Sequence, residues 1–518
     1  MTRSLTLVLL LAAGAAVALR WPGLDRRPMH NDEAVNAVKF GQLWEHKGYR
    51  YDPNEHHGPS LFYATLALER LTAAPDIDHY TDARLRLVTV LFGLALLPLL
   101  PLLLDGLGRN GIIWAAILTA TSPALVFYSR YFIHEIFLVL FTFLALAAGW
   151  RYWRSRRLGW ILLAGIAIGL MAATKETFVI TLAAAGIAIG LNQVWNRLLD
   201  ASGPLEKAAP INWWHVGAAA FACLVTAVLL FSSFFANPGG PLDAIRTYEP
   251  WIHRAAGASP HIHPWFFYLQ RLLFFHVAGA PVWTEALIFV LAIIGAIAGF
   301  RRRRLAGANA SFVRFLALYV FLLTAFYSLL AYKTPWCLLS FWHGAVLLAG
   351  VGAAVLGRTA PSRYWRLGIA AMLLAGAAHL SWQSCLANTT YASDPRNPYV
   401  YAQTLPDVFR LVNQLEGLAK VDPNGHKLLV KVMAPEGDYW PLPWYLRRFE
   451  QTGWWENVPD DPFAPVMVVS AKLHAGLDEK KTHLMIGYFQ LRPELFFELY
   501  VQRDLWQEWL AHKPVSAE

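Results

Sequence analysis

A series of apolar runs, each long enough to cross a bilayer, fills most of the first 385 residues and constrains the fold more than any other feature. Only 15% of the 518 residues are charged, whereas 56% are hydrophobic. The composition excludes an ordinary soluble enzyme and predicts a polytopic α-helical membrane protein of about eleven spans. The runs lie at about 4–20, 84–104, 111–128, 131–150, 158–173, 177–194, 215–235, 281–300, 312–331, 336–357 and 364–385.

The first run has two interpretations. Arg3 precedes it and Ala16-Val17-Ala18 resembles a cleavage site, so residues 4–19 have features of a signal peptide. We favour a retained membrane anchor, because the acidic pair Asp32-Glu33 follows so closely that cleavage would free it from the membrane that positions it.

Arginine clusters set the orientation. They follow the fourth, eighth and tenth runs, at Arg151–Arg157, Arg301–Arg304 and Arg358–Arg366. Because basic residues concentrate in cytoplasmic loops, these ends are predicted to be cytoplasmic, and the net charge of +9 needs no nucleic-acid partner. The odd-numbered span ends then share the outer face, together with the C-terminal region.

The predicted outer ends carry most of the ionisable residues near membrane level, where such groups are costly and typical of a functional site. Simpler explanations exist for some of them. Asn31 or Asp32 can cap an amphipathic helix over 32–45, and Arg130 and Lys333 can reach phospholipid headgroups. The groups concerned are Asp32-Glu33, Arg130 through His134-Glu135, Lys175-Glu176 and Lys333.

Two long outer loops are predicted, 21–83 and 236–280. The first contains the helix over 32–45 and a second interfacial helix after Pro59, which is too short for a span because Glu69 and Arg70 end its apolar part. The second loop has a turn cluster at 237–241, then an aromatic, histidine-rich stretch. That stretch is either a wall for lipid or sugar or an interfacial aromatic belt.

The composition changes at about residue 386. Residues 1–385 are predicted to form the transmembrane domain, and 386–518 a soluble α/β domain with a helix over 407–418 and strands over 427–433, 465–469 and 483–489. It has neither a nucleotide-binding glycine loop nor a nucleophile elbow. Its unusual stretch 436–445 is interpreted as a turn packed on the membrane domain, with sugar or acceptor contact through Tyr439 as the alternative.

Carboxylates, basic residues and aromatic residues at one membrane face suit a lipid substrate with an anionic phosphate. Arginine and lysine would hold the phosphate by charge-assisted hydrogen bonds, and a carboxylate would accept the proton of an attacking hydroxyl. Neutralising the phosphate would also stabilise it as a leaving group.

The sequence resembles the GT-C glycosyltransferases, especially protein O-mannosyltransferases and aminoarabinose transferases of glycosyltransferase family 39 type. The resemblance rests on the acidic pair after the first span, on His57-Gly58-Pro59-Ser60 with Leu61-Phe62-Tyr63, on Ala83-Arg84-Leu85, and on Tyr128–Glu135. With Asn397–Ala402, the pattern Asn31–Ala34 looks most like the flippase-activity-associated glycosyltransferase homologues.

The resemblance implies an inverting membrane enzyme that moves a sugar from a polyprenyl-phosphate donor to an acceptor on the extracytoplasmic face. Asp32 matches the general base, Glu33 is its neighbour, and Glu135 matches the second acidic position. A lysine motif of the aminoarabinose transferases is replaced here by His57-Gly58-Pro59-Ser60. The predicted donor-phosphate ligands are Arg130, Lys175, Lys333 and His57, and the predicted acceptor or sugar contacts are His134, Tyr131, Trp336 and Tyr439.

No cofactor is expected, although His30, His56, His57 and His134 with Asp32 and Glu135 are an alternative divalent-metal set. The expected partners are a polyprenyl-phosphate-linked sugar, membrane lipids and an acceptor protein, lipid or polysaccharide. The expected location is a bacterial inner or archaeal plasma membrane. Two other hypotheses are a lipid-sugar transporter or flippase accessory protein without catalysis, and a scaffold in an envelope-polymer pathway.

Overall fold

The computed structural model describes residues 3–45, 49–55, 57–72, 76–198, 210–256, 261–301, 305, 307–479 and 481–512. Helices occupy every predicted apolar run and both interfacial segments of the first outer loop. Up to residue 388 they are α1 (Arg3–Arg20), α2 (Asn31–Trp44), α3 (Ser60–Leu71), α4 (Asp82–Leu99), α5 (Leu104–Leu107), α6 (Arg109–Thr121), α7 (Pro123–Tyr128), α8 (Glu135–Ser155), α9 (Leu158–Ala172), α10 (Phe178–Leu198), α11 (Trp213–Phe231), α12 (Gly240–Arg246), α13 (Tyr248–Ala256), α14 (Phe267–Leu273), α15 (Ala286–Arg301), α16 (Ala310–Leu329), α17 (Leu339–Thr359) and α18 (Arg363–Asn388).

The predicted class, a polytopic helical membrane protein, is confirmed. Among the described residues, 8 helical segments are long and apolar enough to cross a membrane, and α9 and α15 are shorter apolar helices. The count of eleven spans stays a prediction. Helix α3 is not among these candidates, since its 12 residues include Glu69 and Arg70.

Helix α17 is the central element of the membrane domain. In the most apolar 18-residue stretch of Pro335–Thr359, which contains α17, 94% of the residues are buried, and the helix packs on α6, α15 and α16. Small residues allow the helices to approach closely: a Cβ atom on Gly352 would lie 1.9 Å from the Leu291 carbonyl oxygen of α15. Such contact compensates for the weak hydrophobic drive between helices in lipid.

The C-terminal region forms a mixed five-stranded sheet with the strand order β2-β1-β3-β5-β4. Strand β1 lies parallel to β2 and β3, whereas β5 is antiparallel to β3 and β4. Burial of β3 on both faces explains why its sequence reads as a nearly continuous apolar run. Strand β1 is also buried on both faces, but Lys431 interrupts its apolar residues. The elements are α19 (Asp407–Val421), β1 (Val430–Met433), α20 (Leu442–Tyr445), β2 (Thr452–Trp455), β3 (Val466–Ser470), β4 (His483–Arg492), β5 (Leu495–Gln502) and α21 (Arg503–His512).

The α/β class of this region is confirmed, and its domain boundary at 385/386 stays a prediction. Helix α18 ends at Asn388, and α19, β1, β3 and β4 lie at the predicted helix and strands. The sequence analysis missed β2, β5, α20 and α21. Strand β2 has the sequence Thr-Gly-Trp-Trp, which shows no alternation of polar and apolar residues.

The segment around α20 packs on the membrane domain. Trp444 Nε1 and the Tyr445 hydroxyl donate hydrogen bonds of 2.8 and 2.7 Å to the two oxygens of Asp82, at the start of α4. Arg447 donates to the carbonyl oxygens of Ile77 and Tyr80. The interpretation of 436–445 as a packed turn therefore holds for its second half.

Candidate functional site

One cavity of about 330 Å³ lies where the predicted outer span ends meet. Its walls come from the start of α2, from the segment before α3, from the start of α8, from the α9–α10 connection and from the segment before α17. The lining residues are Asn31, Asp32, Val35, Asn36, Lys39, Asn54, His57, Phe62, Ile133, Glu135, Lys175, Glu176, Thr177, Trp251, Tyr268, Tyr327, Leu330, Ala331, Tyr332, Thr334, Trp336 and Cys337.

Asp32 lies at the first turn of α2, with its side chain 42% exposed and at the cavity wall. His30 is the N-cap of this helix: its Nδ1 accepts from the Asp32 backbone N–H at 3.1 Å, and its own N–H donates to Glu33 at 2.9 Å. This is a capping box. Because His30 and Glu33 cap the helix, the sequence-based alternative that Asn31 or Asp32 is the N-cap is wrong.

Glu33 points away from the cavity, into the protein, and is completely buried. Arg86 of α4 donates to both of its carboxylate oxygens at 2.7 Å, and the Phe132 backbone N–H donates at 2.9 Å. Burial by itself raises the pKa of the Glu33 carboxyl, but Arg86 and Arg27 outweigh burial and hold that pKa at about 2. The predicted catalytic pair is therefore divided: Asp32 faces the cavity, and Glu33 joins α2, α4 and the segment before α8.

A short backbone pairing brings His57 to the α9–α10 connection. Gly58 N–H donates to the Thr174 carbonyl at 3.0 Å, and Ser60 N–H donates to the Ala173 carbonyl at 2.9 Å. A Cβ atom on Gly58 would lie 2.2 Å from the Ala173 oxygen, so only glycine allows this approach. The pairing places His57 Nδ1 3.2 Å from the Glu176 carboxylate, which is 5% exposed.

Lys175 and Glu135 also line the cavity and form a buried ion pair, in which the ammonium donates to Glu135 Oε1. Burial lowers the pKa of the Lys175 ammonium, but Cys337 and the Glu135 carboxylate outweigh it and raise that pKa above its ordinary value. Lys175 is thus held charged beside the cavity. Trp336 completes this wall, with its ring 5.3 Å from that of His30.

Two predicted phosphate ligands do not reach the cavity. Arg130 donates to the backbone carbonyls of Arg20, Pro22 and Gly23 at 2.7–2.9 Å. Lys333 is 1% exposed, and its ammonium donates to the carbonyls of His263 and Leu330. Both cations bind protein carbonyls, so the structure supports neither phosphate binding nor headgroup contact by these side chains.

Three predicted sugar or acceptor contacts also lie outside the cavity lining. Tyr131 donates to Gln403 at 2.7 Å, and Arg27 stacks on its ring. His134 Nε2 lies 2.9 Å from the Gly58 carbonyl, and burial, His57 and Lys175 lower the pKa of His134 so that the ring is neutral. Tyr439 lies in the C-terminal domain, with its ring 4.9 Å from that of Trp454.

The sequence analysis did not assign several cavity residues. Lys39 follows Asp32 by seven residues, so a helical-wheel argument places both on one face of α2. Glu176 adjoins Lys175 in a motif that was recognised but given no role of its own. Trp251 and Tyr268 belong to the aromatic, histidine-rich stretch, for which a wall for lipid or sugar was one of the two interpretations, whereas Tyr327 and Tyr332 were given no role.

The described members of the alternative metal set do not form a metal-binding group. No group of three or more His, Cys, Asp or Glu side chains that could hold a metal ion occurs among the residues that the structure describes. His56, a member of the predicted set, lies outside those residues.

The helical bundle that contains α2 and α3, together with the C-terminal mixed sheet, has the fold of ArnT. It is similar to the crystal structure of ArnT from Cupriavidus metallidurans in the apo state, with 14% identity and a TM-score of 0.62. The structure of ArnT bound to undecaprenyl phosphate gives 14% identity and a TM-score of 0.57. Each alignment covers 95% of this chain and 97% of ArnT.

The sequence itself adds a second finding. Residues 71–237 match the family model described as dolichyl-phosphate-mannose-protein mannosyltransferase. No curated protein sequence gives a significant match. The finer resemblance to the flippase-activity-associated homologues stays a prediction.

Replacing Glu33 by glutamine tests its structural role. Glu33→Gln leaves the buried Arg86 and Arg27 without their counter-charge, which should cost about 3–5 kcal/mol of stability. We expect a large drop in the thermal unfolding midpoint of the detergent-purified protein, and partial recovery in Glu33→Gln/Arg86→Met. Exposed Asp25→Asn is the control; an equal midpoint for both single variants would contradict this role.

The pH dependence of stability gives a second test. The folded-state pKa of Glu33, about 2, lies below the ordinary 4.5, so its contribution is present above pH 4.5 and is lost as the pH falls toward 2. The midpoint of the wild-type protein should fall over that interval, and that of Glu33→Gln should fall less. The check is a series of thermal melts between pH 6 and about pH 2.5, and parallel curves would count against the assignment.

Proposed function

We propose that this protein is a membrane glycosyltransferase that moves a sugar from a polyprenyl-phosphate donor to an acceptor hydroxyl. The observation that carries the proposal is the cavity itself, in which a partly exposed Asp32 shares the walls with Lys39, Lys175 and His57. The similarity to ArnT, which is known bound to undecaprenyl phosphate, supports a polyprenyl-phosphate donor.

Asp32 is the proposed general base. Its carboxylate accepts the proton of the acceptor hydroxyl as that oxygen attacks the anomeric carbon of the sugar. The bond between that carbon and the phosphate oxygen breaks, and the bonding electron pair leaves with the lipid phosphate. One displacement inverts the anomeric configuration. Burial lowers the pKa of the neighbouring His30 imidazole, so that ring is neutral beside the Asp32 carboxylate.

The donor phosphate is proposed to lie against Lys39, Lys175 and His57. Lysine and histidine nitrogens donate charge-assisted hydrogen bonds to phosphate oxygens and stabilise the charge that develops there. Glu135 holds the Lys175 ammonium at the cavity, and Glu176 holds the His57 ring. This arrangement reassigns the phosphate contacts from Arg130 and Lys333, and it gives Glu33 and Glu135 structural rather than proton-transfer roles.

The site is proposed to open on the extracytoplasmic side. The cavity is built from the odd-numbered span ends, and the arginine clusters Arg151–Arg157 and Arg358–Arg366 belong to the opposite ends. Basic loops mark the cytoplasmic side of polytopic proteins. The donor would therefore be presented after its sugar has reached the outer leaflet.

The role of Asp32 is tested by Asp32→Asn, which keeps the size of the side chain and removes its basicity. We expect sugar transfer to fall by about 10²–10⁴-fold, the usual contribution of a general base. The assay follows tagged mannose, glucose, galactose or aminoarabinose from undecaprenyl-phosphate donors into membranes of the source cell. Binding of undecaprenyl phosphate should be unchanged.

Asp25→Asn, at an exposed carboxylate outside the cavity lining, is the matched control and should keep full activity. Transfer that survives Asp32→Asn would remove Asp32 as the base. Lipid binding without incorporation of any of the sugars by the wild-type protein would favour the transporter hypothesis.

The phosphate contact is tested by Lys39→Gln. A hydrogen bond from a charged donor contributes about 1.5–3 kcal/mol, so the dissociation constant for undecaprenyl phosphate should rise by about ten- to hundredfold. Lys420→Gln, at the exposed end of α19, serves as control. Binding is measured by quenching of tryptophan fluorescence in detergent, and an unchanged constant would exclude Lys39 as a phosphate ligand.

A further inference from the structure

We propose that Tyr445 and Gln403, in the C-terminal part of the chain, are positioning residues for Asp32. Neither side chain lines the cavity, because Cys337 is the last residue along the described chain that does so. Both instead hold the backbone that leads into α2. The inference rests on the proposed function, because it concerns the placement of the proposed base.

The backbone just before α2 is held from the C-terminal side at two consecutive residues. The Met29 N–H donates to the Tyr445 hydroxyl at 2.8 Å, and Gln403 Nε2 donates to the Pro28 carbonyl at 3.0 Å. Met29 is fully buried. His30, the N-cap, follows at once, and Asp32 lies two residues later. A shift of this backbone would therefore move the cap and Asp32 together.

Tyr445 is itself fixed from the other side. Its hydroxyl donates to Asp82 Oδ2 at 2.7 Å while accepting the bond from Met29. Trp444 Nε1 holds the second oxygen of Asp82 at 2.8 Å. Burial and the Asp82 carboxylate raise the pKa of Tyr445 well above its ordinary value, so the hydroxyl keeps the proton that it donates. The hydroxyl thus connects the start of α4 with the entry to α2.

Gln403 connects the same entry with the second acidic segment. Its Oε1 accepts from the Tyr131 hydroxyl at 2.7 Å while its Nε2 holds Pro28. Tyr131 lies in the short segment that leads to Glu135 at the start of α8. The Gln403 amide therefore connects the segment before α2, which leads to Asp32, with the segment before α8, which leads to Glu135.

This geometry predicts a defect in catalysis rather than in donor binding. A base must lie within hydrogen-bond reach of the proton that it accepts, and a displacement of about 1 Å can cost about 10²-fold in rate. Tyr445→Phe removes one oxygen atom and leaves the ring in place. We expect kcat to fall by about tenfold per folded molecule, with the KM for the donor changed by less than about twofold.

The first experiment needs no substrate. Hydrogen–deuterium exchange, read by mass spectrometry on the detergent-purified full chain, follows a peptide covering residues 27–36. Tyr445→Phe and Gln403→Leu should each speed exchange in that peptide while leaving that of α17 unchanged. Tyr488→Phe is the control, because Tyr488 lies on β4 and stacks on Phe496. Unchanged exchange of the 27–36 peptide in both variants would overturn the proposal.

The second experiment asks whether Tyr445 acts through Asp32. Transfer is measured for Tyr445→Phe, Asp32→Asn and the double variant, with the donor sugar that the wild-type protein uses. If Tyr445 positions the base, its removal should cost about tenfold in the wild-type background and less than about twofold in Asp32→Asn. A merely structural role predicts equal losses in both backgrounds, which would also overturn the proposal.

The two proposals fail separately. Full transfer by Asp32→Asn contradicts the proposed base, whatever Tyr445 does. If Asp32→Asn is inactive and Tyr445→Phe is fully active, Asp32 remains the proposed base. Only the proposal that the C-terminal domain positions Asp32 is then rejected. The exchange experiment decides whether the entry to α2 is held even if no donor sugar is transferred.

Discussion

The ion pair of Glu33 with Arg86 is the interaction on which the rest of the site depends. It is completely buried, and it joins α2, α4 and the segment before α8. Arg86 also donates to the carbonyls of Leu24, Arg27 and Pro28, so one guanidinium fixes the chain between α1 and α2. A buried pair of this kind adds little net stability compared with apolar packing, but breaking it leaves an uncompensated charge. The Glu33–Arg86 pair fixes the position of the start of α2, and this position places Asp32 at the cavity wall.

Pairs of oppositely charged or hydrogen-bonded side chains also form part of the cavity wall. Lys175 with Glu135, and His57 with Glu176, are two pairs of cation or imidazole with carboxylate, and all four residues line the cavity. A hydrogen-bonded carboxylate fixes the orientation of its partner in a way that an exposed ion pair does not. The close approach of Gly58 to Ala173 brings the two pairs together. In the proposed enzyme, Lys175 and His57 would be held by these carboxylates at the cavity, where they contact the donor phosphate.

The C-terminal domain also contributes contacts that hold the residues around the cavity. It contributes no wall residue among those described, yet its α20 segment and Gln403 hold the two oxygens of Asp82 and the entry to α2. Its packing on the membrane domain is therefore part of how the proposed base is placed.

The sequence by itself determined the membrane class, the helices at the apolar runs, the helices α2 and α3 and the mixed α/β character of the C-terminal region, because periodicity and length of apolar segments are local properties. It also selected Asp32, His57, Glu135, Lys175 and Trp336, which share one cavity. It did not separate Asp32 from Glu33 or exclude Arg130 and Lys333, because neighbouring residues on a helix face different surroundings and cations at span ends look alike in sequence. Only the tertiary structure decided which charge is paired with Arg86 and which cations are bound by backbone carbonyls, since most of those partners lie 53 to 110 residues away along the chain.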